Sequence, residues 1–290
     1  MLSHILSSTR QAINRAVRSK VGGDDFAEIH LQIWHTEGER WFTAADPIWR
    51  VHNDTSMYIG GMRALLLQSL HPVAMQAVSE HSGYRSDPWG RLQRTARFIA
   101  ATTFGTISDA ERAIAKVKHV HTFITGVAPD GTPYEATDPR LLRWVHIAEI
   151  ESFLLAHQAF GARPLTDAEC DTYVAQTAEV ATRLGVIDPP TTRSELDSAL
   201  MSYRRELNRT PAAVEAANLL LHHPPLPAFS QPGYQMMVIG ALSLLPPWAR
   251  ARLRLPYRPM TEVLARPLAI TAMKTLRWAF NSDPVVQAVD

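Results

Sequence analysis

Arg91-x-x-Arg94-Thr95 places two guanidinium groups and a hydroxyl on a single turn of a helix. At about 100° per residue the three share a face with Phe98 and Thr102, and Thr95 falls between Phe98 and Ile99 in an apolar sector. Permanent cations in such a place call for a counter-charge or a ligand. Further along, His121 interrupts an apolar stripe of Ala110, Ala113, Ile114, Val117, Val120 and Ile124, while Arg112, Lys116 and His119 lie opposite. An inward histidine is either a hydrogen-bonded core residue or a metal or haem ligand, since neutral imidazole is a common axial donor. Residue types alone leave both readings standing.

Other ionisable groups also fall on apolar faces. Leu142, His146, Ile150, Phe153 and Phe160 form one stripe, with Glu149 and His157 on the same side, and such groups must be paired or neutral. His146 therefore reads either as a pocket residue or as a structural histidine. His146-x-x-Glu149 also resembles half of a di-iron carboxylate site, but its order is reversed from Glu-x-x-His and no second copy occurs. Arg63, in an apolar run, pairs with an internal acid or meets an anionic cofactor group. Glu80, at the end of the preceding helix, places a carboxylate near the entrance to the Arg91 helix and is a weak candidate for a catalytic base.

The elements that must position these groups are helices with legible ends. One opens at Asp87-Pro88, and Gly105 is expected to stop it in a left-handed conformation. The next is expected to open with a capping box at Ser108-x-x-Glu111 and run to Gly126, with His121 well inside it. Pro129-Asp130-Gly131-Thr132-Pro133 is a turn. Asp138-Pro139 caps a long helix to Gly161, Thr166-x-x-Glu169 caps another to Gly185, and further helices span 192–208, 211–222, 234–245 and 260–280. The run from Thr55 to Leu70 is a buried helix in which Gly60-Gly61 allows close approach of another backbone.

Ordered motifs through this region carry a resemblance. They are Gly60-Gly61-Met62-Arg63-Ala64-Leu65-Leu66-Leu67-Gln68, His71-Pro72, His81-Ser82, Asp87-Pro88-Trp89-Gly90-Arg91-Leu92-Gln93-Arg94-Thr95, Phe104-Gly105, His121-x-x-x-x-Gly126, and Trp144-Val145-His146 followed by Ser152-Phe153-Leu154. The chain resembles a bacterial family that shares its domain with the latex-clearing (rubber) oxygenases and the fungal ER-bound oxygenases of the mpaB type. The resemblance implies an all-α fold with a globin-like core and a haem b cofactor. It also implies His121 as the proximal iron ligand, Arg91, Arg94 and Thr95 as the distal catalytic face, and His146 and Arg63 as cofactor-binding residues. Two departures stand out. Arg94 occupies a position where the rubber oxygenases have lysine, and a guanidinium, always protonated, is a poor iron ligand. Thr125 stands where many relatives have arginine.

Composition bounds the rest. A chain of 290 residues that is 46% hydrophobic can bury a large core, and a formal net charge of +1 leaves no electrostatic footprint for nucleic acid. The single cysteine, Cys170, excludes a disulfide framework and a thiolate metal site. No apolar run is long enough to cross a bilayer. Residues 1–24 read as an amphipathic segment, either a packed first helix or a peripheral membrane contact, ahead of one helical domain over 25–290. The expectation is a cytoplasmic, conceivably membrane-associated, haem-dependent oxygenase or oxidoreductase. It would take dioxygen, a small apolar or lipid-like substrate and electrons from an unidentified donor. A haem-binding or haem-sensing protein without turnover, and a cofactor-free helical scaffold, are the alternatives.

Overall fold

A computed structural model describes residues 10–14, 23, 26–224, 226, 230–255 and 259–280. Most of the N-terminal segment over 1–24 lies outside the described residues. Apart from a short hairpin, the described chain is all-α.

The helices are α1 Phe26–His35, α2 Pro47–His52, α3 Met57–Gln68, α4 Pro72–His81, α5 Pro88–Phe104 and α6 Ile107–His121. Strands β1 Thr125–Val127 and β2 Pro133–Glu135 then pair antiparallel, with Gly126 opposite Tyr134. After them come α7 Pro139–Phe160, α8 Asp167–Leu184, α9 Arg193–Ser202 and a 3₁₀ turn Tyr203–Arg205. Helices α10 Pro211–His222, α11 Gln231–Leu244, α12 Pro247–Leu253 and α13 Pro259–Phe280 complete the order. No described helix is long and apolar enough to cross a membrane.

Helix α7 is the axis of the molecule, packing most extensively on α3 and also on α2, α4, α8, α9, α11 and α13. The α3 contact is close because Gly60 has no side chain: a Cβ there would sit 3.1 Å from both Phe153 Cα and Ser152 O. Gly61 faces open space, so only the first of the two glycines serves the approach. Trp144, Ile147 and Ala148 on α7 are fully buried with Leu67 and Leu70. A second apolar cluster joins Ile59, Ala156 and Phe160 to Ala241, Ala269 and Met273. Near the front of the chain, Trp34, Trp49 and Phe104 stack and edge together at 4.7–5.2 Å, tying α1 and α2 to the end of α5.

Local signals explain most helix ends. Asp87 accepts from Gly90 N at 2.8 Å, and a Cβ at position 90 would overlap that carboxylate. Thr166 and Glu169 close a capping box, and Gly185 ends α8 at φ 108°. Three expectations around His121 fail. Gly105 is extended (φ −76°, ψ 171°) rather than left-handed, because the chain turns directly into the next cap. That cap is Thr106 with Asp109, two residues ahead of the expected Ser108 box. Helix α6 ends at His121, and Gly126 belongs to β1, since the 125–135 segment finds a ladder in place of further helical bonds.

Candidate active site

The α5 turn is less uniform than its spacing suggests. Arg94 is largely exposed, with Nη1 3.6 Å from Asp87 Oδ2 and Nη2 3.4 Å from Ser82 O. Thr95 is also exposed, and its hydroxyl donates to Arg91 O at 3.2 Å within its own helix. Arg91 alone sinks inward. Burial first, and the Arg94 charge second, push its pKa down, and no carboxylate or carbonyl among the described residues accepts from it. It is a desolvated cation without an anion.

His121 is the last residue of α6 and is partly buried. A helix C-terminus favours imidazolium, but burial outweighs it and lowers the pKa, leaving a neutral ring. That ring has no hydrogen-bond partner among the described residues. Its position is constrained downstream by the hairpin. Tyr134 on β2 donates to Glu80 of α4, and a Cβ on Gly126 would lie 2.5 Å from the Tyr134 hydroxyl. Glu80 thus acts as an anchor. It accepts from Tyr134 and from Gln76 at 2.7 Å, and these bonds hold its pKa below the usual carboxylate range. A carboxylate so occupied and acidified is a poor base, which removes its candidacy for that role.

Arg63 is 1% exposed, and its donors go to protein: Nη1 and Nη2 to Glu151, Nη1 to Ser152 Oγ at 2.6 Å and Nε to Leu244 O at 2.8 Å. The internal-acid reading is the one realised. The cofactor-binding assignment is corrected, because a guanidinium spent on a buried bidentate pair has little left for an external anion.

The inward face of α7 is different. His146 and Glu149 lie deep in the chain yet keep some accessible surface. His146 Nε2 is buried without a partner, and burial, followed by the Arg143 charge, lowers its pKa to about 4. Glu149 has no hydrogen bond or ion pair among the described residues, and burial alone raises its pKa to about 7. One turn on, Phe153 meets the edge of His52 from α2 at 5.7 Å. His52 Nδ1 is 2.8 Å from Thr103 Oγ1 on α5, and Nε2 is 3.3 Å from the Tyr173 hydroxyl on α8. Burial, then His157, pushes His52 down to about 3, while burial and the nearby Glu149 raise Tyr173.

Structure thus brings His52, Thr103 and Tyr173 together, with Glu149 near Tyr173, and none of the first three was nominated from sequence. Tyr173 carried a faint signal, a hydroxyl-bearing residue in the buried stripe of α8; His52 carried none. No group of three His, Cys, Asp or Glu side chains capable of holding a metal occurs among the described residues. The di-iron alternative therefore finds no support. A haem needs only one protein donor, and His121, a neutral imidazole with no partner among the described residues, has the chemistry of one, while the partly buried Arg91 carries a charge that a propionate could meet.

Among curated proteins, an uncharacterized protein of Mycobacterium bovis and one of Mycobacterium tuberculosis are each 30% identical over 99 residues, 34% of this chain and 38% of theirs. The match therefore spans well under half the length of these relatives. No solved structure shows significant similarity. Residues 49–278 match the family described as ER-bound oxygenase mpaB/B′/rubber oxygenase, catalytic domain. That stretch holds His52, His121, His146, Glu149 and the α5 turn, and the chain belongs to this oxygenase catalytic-domain family.

Proposed function

We propose that the protein is a haem b-dependent oxygenase or oxidoreductase acting on an apolar small molecule or lipid-like chain, with His121 as the proximal ligand. The observation that carries this reading is the state of His121 itself: neutral, partly buried, unpartnered, and fixed at the junction of α6 with a pinned hairpin. Bound haem would supply dioxygen binding and activation. The chain supplies the rest. Arg91 offers a fixed positive charge inside the protein, where a propionate or a negatively charged oxygen is stabilised more than it would be in water. Arg94, tied to Asp87, orients the first turns of α5.

The test is spectroscopic. Protein expressed with iron and a haem precursor should show a Soret band, and His121→Ala should lose it. Full haem retention in the variant would refute the ligand assignment. Dioxygen consumption with a reductant and hydrophobic candidates then separates an oxygenase from a haem-binding protein without turnover.

A further inference from the structure

We propose that α13 is a peripheral docking face for the anionic surface of a lipid bilayer, on which the helix lies with its outward side in the headgroup layer. The proposal is independent of the haem reading, and its test reads vesicle binding. The chain's balanced net charge conceals a polarity. Between Glu215 and Asp283 stand seven lysines and arginines and a single acid, Glu262, and ahead of Asp24 stand four more and no acid. The two stretches meet in the fold: Arg10 lies over the Trp278 ring at 5.4 Å, and Asn14 donates to Ala279 O at 3.2 Å. Cationic charge thus collects around α13, while the balancing acids lie in the rest of the chain.

Helix α13 buries Ala265, Ala269, Ala272, Met273 and Leu276, packing chiefly on α11 and also on α7. The outward side of such a helix is ordinarily polar. Here Val263 is 76% and Leu264 50% exposed, and Trp278 also faces out. At about 100° per residue these three and Lys274 fall within a sector of roughly 100°, along about 22 Å of helix. Arg266 and Lys274 on α13, and Arg254 just ahead of it, are exposed and form no ion pair among the described residues, whereas the more buried Arg277 is held by Asp54 at 2.8 Å. Apolar side chains ringed by free cations suit the interface of an anionic bilayer: the branched and indole groups enter the boundary between headgroups and acyl chains, and the ammonium and guanidinium groups meet lipid phosphates and carboxylates. A nucleic acid would answer the cations and leave Val263 and Leu264 in water. Since no described helix is long and apolar enough to cross a membrane, the contact made through α13 is one of lying on the surface.

Flotation of the purified full chain with vesicles of phosphatidylcholine, alone or with about one-third phosphatidylserine, tests this. The anionic vesicles should bind at least about tenfold more tightly, and that binding should fall as salt rises from about 0.05 to 0.5 M. Arg254→Gln, Arg266→Gln and Lys274→Gln together should weaken it about a hundredfold, at roughly fivefold per cation. Val263→Ser with Leu264→Ser should weaken it about tenfold or more, while Ile187→Ser with Met201→Ser, comparably exposed apolar side chains elsewhere, should stay within about twofold of the parent. Circular dichroism melting confirms that each variant is folded. Equal binding to both vesicle types, no vesicle binding at low salt, or unchanged affinity in the folded Val263→Ser, Leu264→Ser variant would overturn the proposal. So would binding of duplex DNA or polyglutamate in place of vesicles, or self-association in place of vesicle binding that the same serine pair abolishes.

Discussion

Two glutamates of α7 stand two residues apart in the interior and meet opposite fates. Glu151 faces α3 and is clasped by Arg63, whose remaining donors find Ser152 and Leu244. Glu149 has no cation beside it among the described residues, while a partly buried cation on α5, Arg91, has no carboxylate. Where the helices only need to stay together, buried charge is matched to the last bond. At Glu149 and at Arg91 charge is left open among the described residues, and pairing rather than burial distinguishes the matched side of α7 from the open one.

The largest effect should come from breaking the matched side. Arg63→Met leaves Glu151 buried and alone, and should cost about 3–5 kcal/mol in urea denaturation, whereas Arg63→Met with Glu151→Leu should recover most of that loss. If the single and double variants are equally unstable, the pair is not what secures α3 to α7.

On the open side, the two groups should push stability in opposite directions with pH. In the folded chain Glu149 holds its proton up to about pH 7 instead of 4.5, so its contribution is full below pH 4.5 and is lost as pH rises through 7. The stability of the parent relative to Glu149→Gln should thus fall by something on the order of 3 kcal/mol across that window. His146 runs the other way. Its folded value near 4 against 6.5 gives a contribution present above pH 6.5 and lost as pH falls toward 4, and His146→Gln should remove it. Parallel pH–stability curves for Glu149→Gln and the parent would show that Glu149 is solvated and the contrast with Glu151 is false.

The smallest effect sharpens the comparison most. Arg91→Met should leave stability within about 1 kcal/mol of the parent, or raise it, because no partner is orphaned when the cation goes. A loss as large as that for Arg63→Met would mean that Arg91 has a structural anion after all.

The all-α architecture was legible because its signals are local. Pro88, Pro139 and Pro211 at helix starts, the Thr166 box and the left-handed Gly185 need only their immediate neighbours to act. The three-residue spacing of His146 and Glu149 was legible for the same reason. Ahead of His121 two competing caps lay within six residues, Thr106-x-x-Asp109 and Ser108-x-x-Glu111, and the earlier one captured the helix start. Its far end was set by a strand pairing that no helical pattern announces. His52, Thr103 and Tyr173 come from α2, α5 and α8 and meet only through packing, so no spacing records them. Whether a buried charge is paired is likewise a property of three dimensions: Arg63 and Arg91 look alike as letters.

The hairpin strap bears on how any mutational survey of this protein is interpreted. Because Glu80 clasps Tyr134, and Tyr134 lies over Gly126 five residues after His121, deleting that carboxylate loosens the mooring of the imidazole as surely as it deletes an acid. Inactivity of Glu80→Ala would therefore mimic the loss of a proton acceptor. Tyr134→Phe severs the same tether while sparing every carboxylate, and a shared defect in both variants, seen as a displaced Soret maximum, would identify slackness rather than missing chemistry as the cause.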